Sequence, residues 1–119
     1  MQSRPIVVSE GDIPMQPVPG ANATYRIPID RARAGCRNLI QRVFRYGVGT
    51  SLEMKNEVSE DVIFVVAGFG EAIVGGRSYA LTPSTGLLVP PDTPYRIHNP
   101  GPHALEWVSV LSPQPEHPD

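Results

Sequence analysis

"LLVPPDTPYRIHNPG", residues 87 to 101, runs an apolar segment into three prolines, turns, and re-emerges as a second segment led by Tyr95. Proline fixes φ and has no backbone N–H to give a sheet, so Pro90, Pro91 and Pro94 mark a turn between two strands. In the second strand, alternation sets Tyr95 and Ile97 on one face and Arg96 and His98 on the other. The same punctuation recurs along the chain. Strands are expected at "RVFRY", "TSLEMKN", "DVIFVVAG", "EAIVGG", "SYAL", "GLLVP", "YRIHN" and "ALEWVSVL", and only "IDRARAG" holds a helical turn. Short strands separated by Gly and Pro are the pattern of an all-β sandwich or barrel. "IVGGRSY" reads as a tight hairpin, because Gly75 and Gly76 both take positive φ at little steric cost.

The size and composition of the chain agree with this reading. A chain of 119 residues, 40% hydrophobic and 18% charged, is sized for one globular core. Residues 1–112 are read as a single barrel domain with an N-terminal arm, and residues 113–119 as a flexible Pro-rich tail. A net charge of −2 supplies no field for a phosphate backbone, so nucleic acid is not an expected partner. No run has the length to span a bilayer, and "MQSRPIVVSEGD" lacks the apolar core of a signal peptide. A cytoplasmic protein without membrane contact is the expectation. Cys36 is the single cysteine, which excludes an internal disulfide and a CxxC metal or redox motif.

In "DVIFVVAG", Val62, Phe64 and Val66 point one way while Ile63, Val65 and Ala67 point the other, so both faces are apolar. One face then lines the barrel and the other needs a cover. Together with the Pro-rich arm, this predicts a homodimer.

Residues 47 to 99 resemble the paired motifs of the cupin family, small antiparallel barrels of the jelly-roll, or double-stranded β-helix, type. The family's first motif runs Gly, His-x-His, Glu, six residues and Gly; its second runs Gly, five residues, Pro-x-Gly, two residues, His, three residues and Asn. In this chain Asp61 stands seven positions before Gly68, where the Glu would be. Met54 and Asn56 stand for the two histidines, and Ser84, Pro90, Asp92, Tyr95 and Asn99 follow the second motif. The resemblance therefore implies that Tyr95 replaces the third metal-binding histidine.

A divalent transition metal wants three or four convergent imidazole, carboxylate or thiolate groups. Met54, Asn56, Asp61 and Tyr95 offer a thioether, an amide, one carboxylate and a neutral phenol, so no metal or other cofactor is expected. A strand shifted by one residue would face Lys55 and Glu57 inward instead, and Glu57 with Asp61 would then make an oxygen site for a metal. The Met54 and Asn56 register is preferred because it sends Leu52, Met54 and Val58 to the core and Glu53, Lys55 and Glu57 to solvent.

What remains is a polar cluster in a small barrel. Asp61 is the candidate base and Tyr95 the candidate acid of a metal-independent enzyme, an isomerase, cyclase or lyase, acting on a small organic molecule in a biosynthetic pathway. Met54, Asn56, Ile97, Arg42 and Trp107 are the candidate substrate contacts. Each has a plainer reading. Tyr95 also suits a core aromatic, Met54 a gap filler and Trp107 wall or interface packing, while Asp61 also suits the turn "VSED". Arg42 and Arg45 lie on opposite faces of one strand, and a buried arginine would need a carboxylate or an anionic ligand beside it. The alternative function is a non-catalytic module that binds a small molecule in the barrel.

Overall fold

The computed structural model describes residues 5 to 115. Ten strands follow in chain order: β1 (Gln16–Pro17), β2 (Ala23–Ile29), β3 (Ile40–Tyr46), β4 (Gly49–Thr50), β5 (Glu60–Ala67), β6 (Gly70–Val74), β7 (Arg77–Leu81), β8 (Gly86–Val89), β9 (Tyr95–Asn99) and β10 (Leu105–Ser112). They form an antiparallel six-stranded sheet, ordered β1-β2-β3-β10-β5-β8, and a four-stranded sheet, ordered β4-β9-β6-β7. Among the described residues the one α-helical turn, α1 (Arg31–Ala34), falls in the segment expected for it. Asp30 caps its N-terminus by accepting from the Arg33 N–H at 2.8 Å, and Gly35 ends it in left-handed backbone.

Strict alternation builds the wall. Along β10, Leu105, Trp107, Ser109 and Leu111 are buried and the residues between them are partly exposed. β3 buries Ile40, Arg42, Phe44 and Tyr46, and β9 buries Tyr95, Ile97 and Asn99. Ile63, Val65, Leu81, Val89, Ile97 and Leu105 fill the space between the sheets. The β6–β7 hairpin turns through Gly75 and Gly76, both at positive φ, with Val74 paired to Arg77.

Three features depart from the sequence reading. β1 and β2 were not expected; β2 carries Pro28, which the sheet tolerates because the register with β3 shifts between Arg26 and Ile29. The stretch "TSLEMKN" is not one strand. It pairs Thr50 with His98 and then, one residue out of step, bridges Met54 to Tyr95 through two 2.8 Å backbone hydrogen bonds. Leu52, in phase with the outward Thr50, and Val58, in the bend before β5, were expected in the core and are exposed. At the segment expected as a tail, the Pro113 carbonyl accepts from the Ser59 hydroxyl, and Gln114 bonds to backbone at Arg31, Cys36, Asn38 and Leu39. Residues 116–119 of that tail lie outside the described residues. Among the described residues no helix is long and apolar enough to cross a membrane.

Ser84 and Asp92 adopt left-handed backbone, with φ of 69° and 56°. These are the two positions where the motif of the second half calls for glycine. Their turns are held from outside: the Ser84 N–H donates to the Val65 carbonyl, and the Asp92 N–H to that of Asn56.

On the outer face of the large sheet Val62, Phe64, Val66 and Leu88 are each about half exposed, and Val108 and Val110 on β10 stand opposite Phe64 and Val62. The homodimer expected from this face has a direct test. The wild-type chain should sediment as a dimer at micromolar concentration and Phe64→Glu as a folded monomer. A wild-type monomer rules the dimer out.

Candidate functional site

The four strands β3, β5, β9 and β10 send Arg42, Asp61, Tyr95 and Ser109 inward, and these four side chains meet. Asp61 leaves the start of β5 and is only 1% exposed. A carboxylate so far from water must be paired and hydrogen-bonded. Arg42 Nη2 lies 3.2 Å from its Oδ2, and the Ser109 hydroxyl donates to Oδ1 at 2.6 Å. Asn56 Nδ2 and the Tyr95 hydroxyl both approach Oδ2 at 3.4 Å. Ser109 in turn accepts from Arg42 Nη2 at 3.1 Å, as its place directly opposite Arg42 in the β3–β10 ladder allows. Phe44, two residues along β3, presents its ring 4.8 Å from the centre of the Arg42 guanidinium.

Burial is the dominant influence on Asp61 and raises its pKa above the ordinary 3.8; Arg42 and the hydrogen bonds from Ser109, Asn56 and Tyr95 oppose it. Burial also raises Tyr95 well above the usual tyrosine range, with the Asp61 charge adding to the effect, so its hydroxyl keeps its proton. Tyr46 is pushed up to about 12 by burial, against a smaller lowering from Arg42. Its hydroxyl points to the Met54 sulfur at 3.5 Å.

Above this cluster opens a cavity of about 570 Å³, walled by Val18, Tyr25, Phe44, Leu52, Met54 and Val58, with Arg42, Asn56 and Tyr95 as its inner polar groups. Glu53, Lys55 and Glu57 stand at its rim. Lys55 is engaged there by Asp92 at 3.1 Å and by Glu57 at 3.5 Å. The segment therefore presents Met54 and Asn56 to the barrel and turns Lys55 and Glu57 outward, which removes the site that Glu57 and Asp61 were weighed to form.

The residues singled out from the sequence fall into two groups. Arg42, Asn56, Asp61 and Tyr95 come together, with Met54 beside them. Asp61 itself does not line the cavity; it lies beneath the side chains that do. Ile97 and Trp107, expected as substrate contacts, do not reach the cavity. Ile97 is wholly buried in the core, and Trp107 stacks on Phe44 with ring centres 5.1 Å apart. Ser109 was missed, although a lone hydroxyl at an inward position of the apolar run "ALEWVSVL" was a readable signal.

A metal does not suit this donor set. Asp61 is the only carboxylate in the cluster and is already neutralised by Arg42, whose cation would repel a metal at the same place. Among the described residues no group of three His, Cys, Asp or Glu converges. His98 lies on the opposite face of β9, with Nδ1 2.7 Å from the Thr50 hydroxyl, and His103 is on an exposed turn. His117 lies outside the described residues.

Two antiparallel sheets closed around such a cavity define a jelly-roll barrel of the double-stranded β-helix class. The chain belongs to the cupin family: the model of the cupin domain matches residues 42–111. Among solved structures, the polyketide cyclase RemF from Streptomyces resistomycificus is 21% identical with a TM-score of 0.78, over 94% of this chain and 80% of that one. KdgF from a Halomonas species is 18% identical with a TM-score of 0.74, over 92% and 95%. An RmlC-like cupin from Shewanella frigidimarina is 17% identical with a TM-score of 0.76, over 98% and 97%. At these identities the likeness is one of fold. No curated protein matches the chain.

Two predictions follow from the cluster's chemistry. Asp61 binds its proton more tightly folded than unfolded, so folding is favoured by protonation between 3.8 and the raised folded value. The stability of wild type relative to Asp61→Asn should therefore rise as pH falls through that window and level off below 3.8, as read by urea titrations at several pH values. A relative stability that falls with pH means that the folded pKa is depressed instead. Elemental analysis after brief chelator treatment should find no stoichiometric Zn, Fe, Mn, Ni or Cu; about one ion per chain refutes the donor-set argument.

Proposed function

We propose that this cupin moves protons on a small, largely apolar organic molecule held in the barrel mouth, without a metal, in cyclase or isomerase chemistry. The observation that carries the reading is a buried carboxylate of raised pKa within reach of a cavity-lining hydroxyl, Asp61 and Tyr95. The likeness to a polyketide cyclase agrees with it at the level of fold.

In this reading Tyr95 touches the substrate and Asp61 acts through it. The phenol oxygen takes a proton from a carbon next to a carbonyl while its own proton passes to Asp61 Oδ2. Their 3.4 Å separation is long for a hydrogen bond and closes in the complex, as catalytic contacts in ligand-free sites commonly do. Arg42 faces the carbonyl oxygen on which negative charge develops. Return of the proton to a different atom completes an isomerisation. Attack of the carbanion on a second carbonyl of the same molecule closes a ring, and the resulting alkoxide takes a proton from Tyr95 while Asp61 returns its own to the phenol oxygen. Asn56 holds Asp61 in place.

A second reading is favoured by a specific observation: Asp61 is covered on the cavity side, which suits a module that binds without reacting. The two readings separate in one experiment. With acetophenone in D2O, NMR should show loss of the methyl protons at least about a hundredfold faster with protein than in buffer, the lower end of the usual range for positioned acid–base groups. Tyr95→Phe should lose that acceleration while changing stability by only about 1 kcal/mol, the net worth of one hydrogen bond. Binding of the ketone with no gain in exchange establishes the non-catalytic module.

A further inference from the structure

Arg42 is bound through one nitrogen only. Nη2 serves both Asp61 and Ser109, whereas Nη1 has no hydrogen-bond partner among the described residues and Nε is buried without one. The residue is 9% exposed, and what remains open faces the cavity it lines. Buried donors are nearly always satisfied, by protein, water or ligand, because an orphan N–H forfeits its hydration with nothing in return. A guanidinium is also a poor residue for filling space at the back of an apolar pocket unless its charge is used. Here it is held still from two directions, by the Asp61 and Ser109 contacts in its own plane and by the Phe44 ring.

We infer that the unpaired edge of Arg42 is an anion-binding subsite, and that the cavity's ligand is an apolar-bodied organic acid whose carboxylate or enolate oxygen seats on Nη1. The walls argue for the apolar body: Val18, Phe44, Leu52, Met54 and Val58 offer nothing to a small hydrated ion. The charges around the mouth argue for an anionic head that reaches inward. At the rim Lys55 is occupied by Asp92 and Glu57, and Glu53 adds negative charge, so among the described residues that line the cavity Arg42 is the cation left for a ligand. This deepens the proposed function by naming its substrate class, and rests only on the ligand occupying this cavity, not on turnover.

The test compares 2-naphthoate with its neutral isostere 2-naphthamide by calorimetry and by the Nε–Hε NMR signal of Arg42. Wild type should bind the acid at least about tenfold more tightly, and the acid alone should move the Arg42 signal. Arg42→Met by itself strands a buried carboxylate and endangers folding. The paired variant Arg42→Met with Asp61→Leu removes both charges together, a replacement that buried ion pairs tolerate, and it should bind acid and amide alike. Equal affinity in wild type, no binding of either probe, or a preference that survives in the paired variant overturns the inference. Preference for the acid without acetophenone exchange keeps the subsite and removes the catalytic reading, while exchange without preference does the reverse.

Discussion

A carboxylate taken out of water has to be answered by its neighbours, and the constraint that organises this barrel is the answer given to Asp61. Its partners come from β3, β9, β10 and the segment before β5, so the sheets must close in a single register for all of them to arrive. A slip of one residue in any strand would turn its contribution to the opposite face. Whatever the net contribution of the ion pair to stability, it penalises the alternatives, since each would leave a charge buried and alone.

The same centre explains how a cupin barrel is arranged without the histidines of its family pattern. In that pattern the convergent groups are donors to a cation. Here the cation is supplied by the chain itself, as the Arg42 guanidinium, and the groups at the ligand positions turn to a carboxylate or to one another: Asn56 and Tyr95 to Asp61, Met54 to the Tyr46 hydroxyl. An arginine cannot exchange ligands as a metal does, but it presents a fixed set of N–H directions. Under the proposed function, chemistry at this centre runs through hydrogen bonds and proton positions.

The fold was legible because alternation and turn residues carry most of the information in a small antiparallel barrel. The inward sets of β3, β5, β9 and β10 follow directly from period two, and the Gly75–Gly76 turn from positive φ. Legibility failed where the period is interrupted. Pro28 at the irregularity of β2 hid a genuine strand, and the one-residue shift between Thr50 and Met54 turns Met54 inward while Leu52 stays in phase with the outward Thr50, so the two do not share a face as one unbroken strand would require. At the site, phase set Tyr95 inward and parted Arg42 from Arg45, and the motif match placed Asp61, but neither carried a measure of depth. Ile97 and Trp107 share the inward phase and yet sit behind the cavity wall, whereas Ser109, small and polar in an apolar run, proved to be part of the cluster.

Ser84 and Asp92 carry a different implication. A left-handed residue with a side chain gives up roughly 1–2 kcal/mol of local preference, less for Asp, which tolerates this region better. Small domains hold only about 5–15 kcal/mol in total, so two such positions are not negligible. They persist because the strands on either side impose the turn and the residue merely complies. Turn shape in this barrel is thus inherited from sheet pairing rather than written in the turn, and such turns are free to change composition while keeping their course.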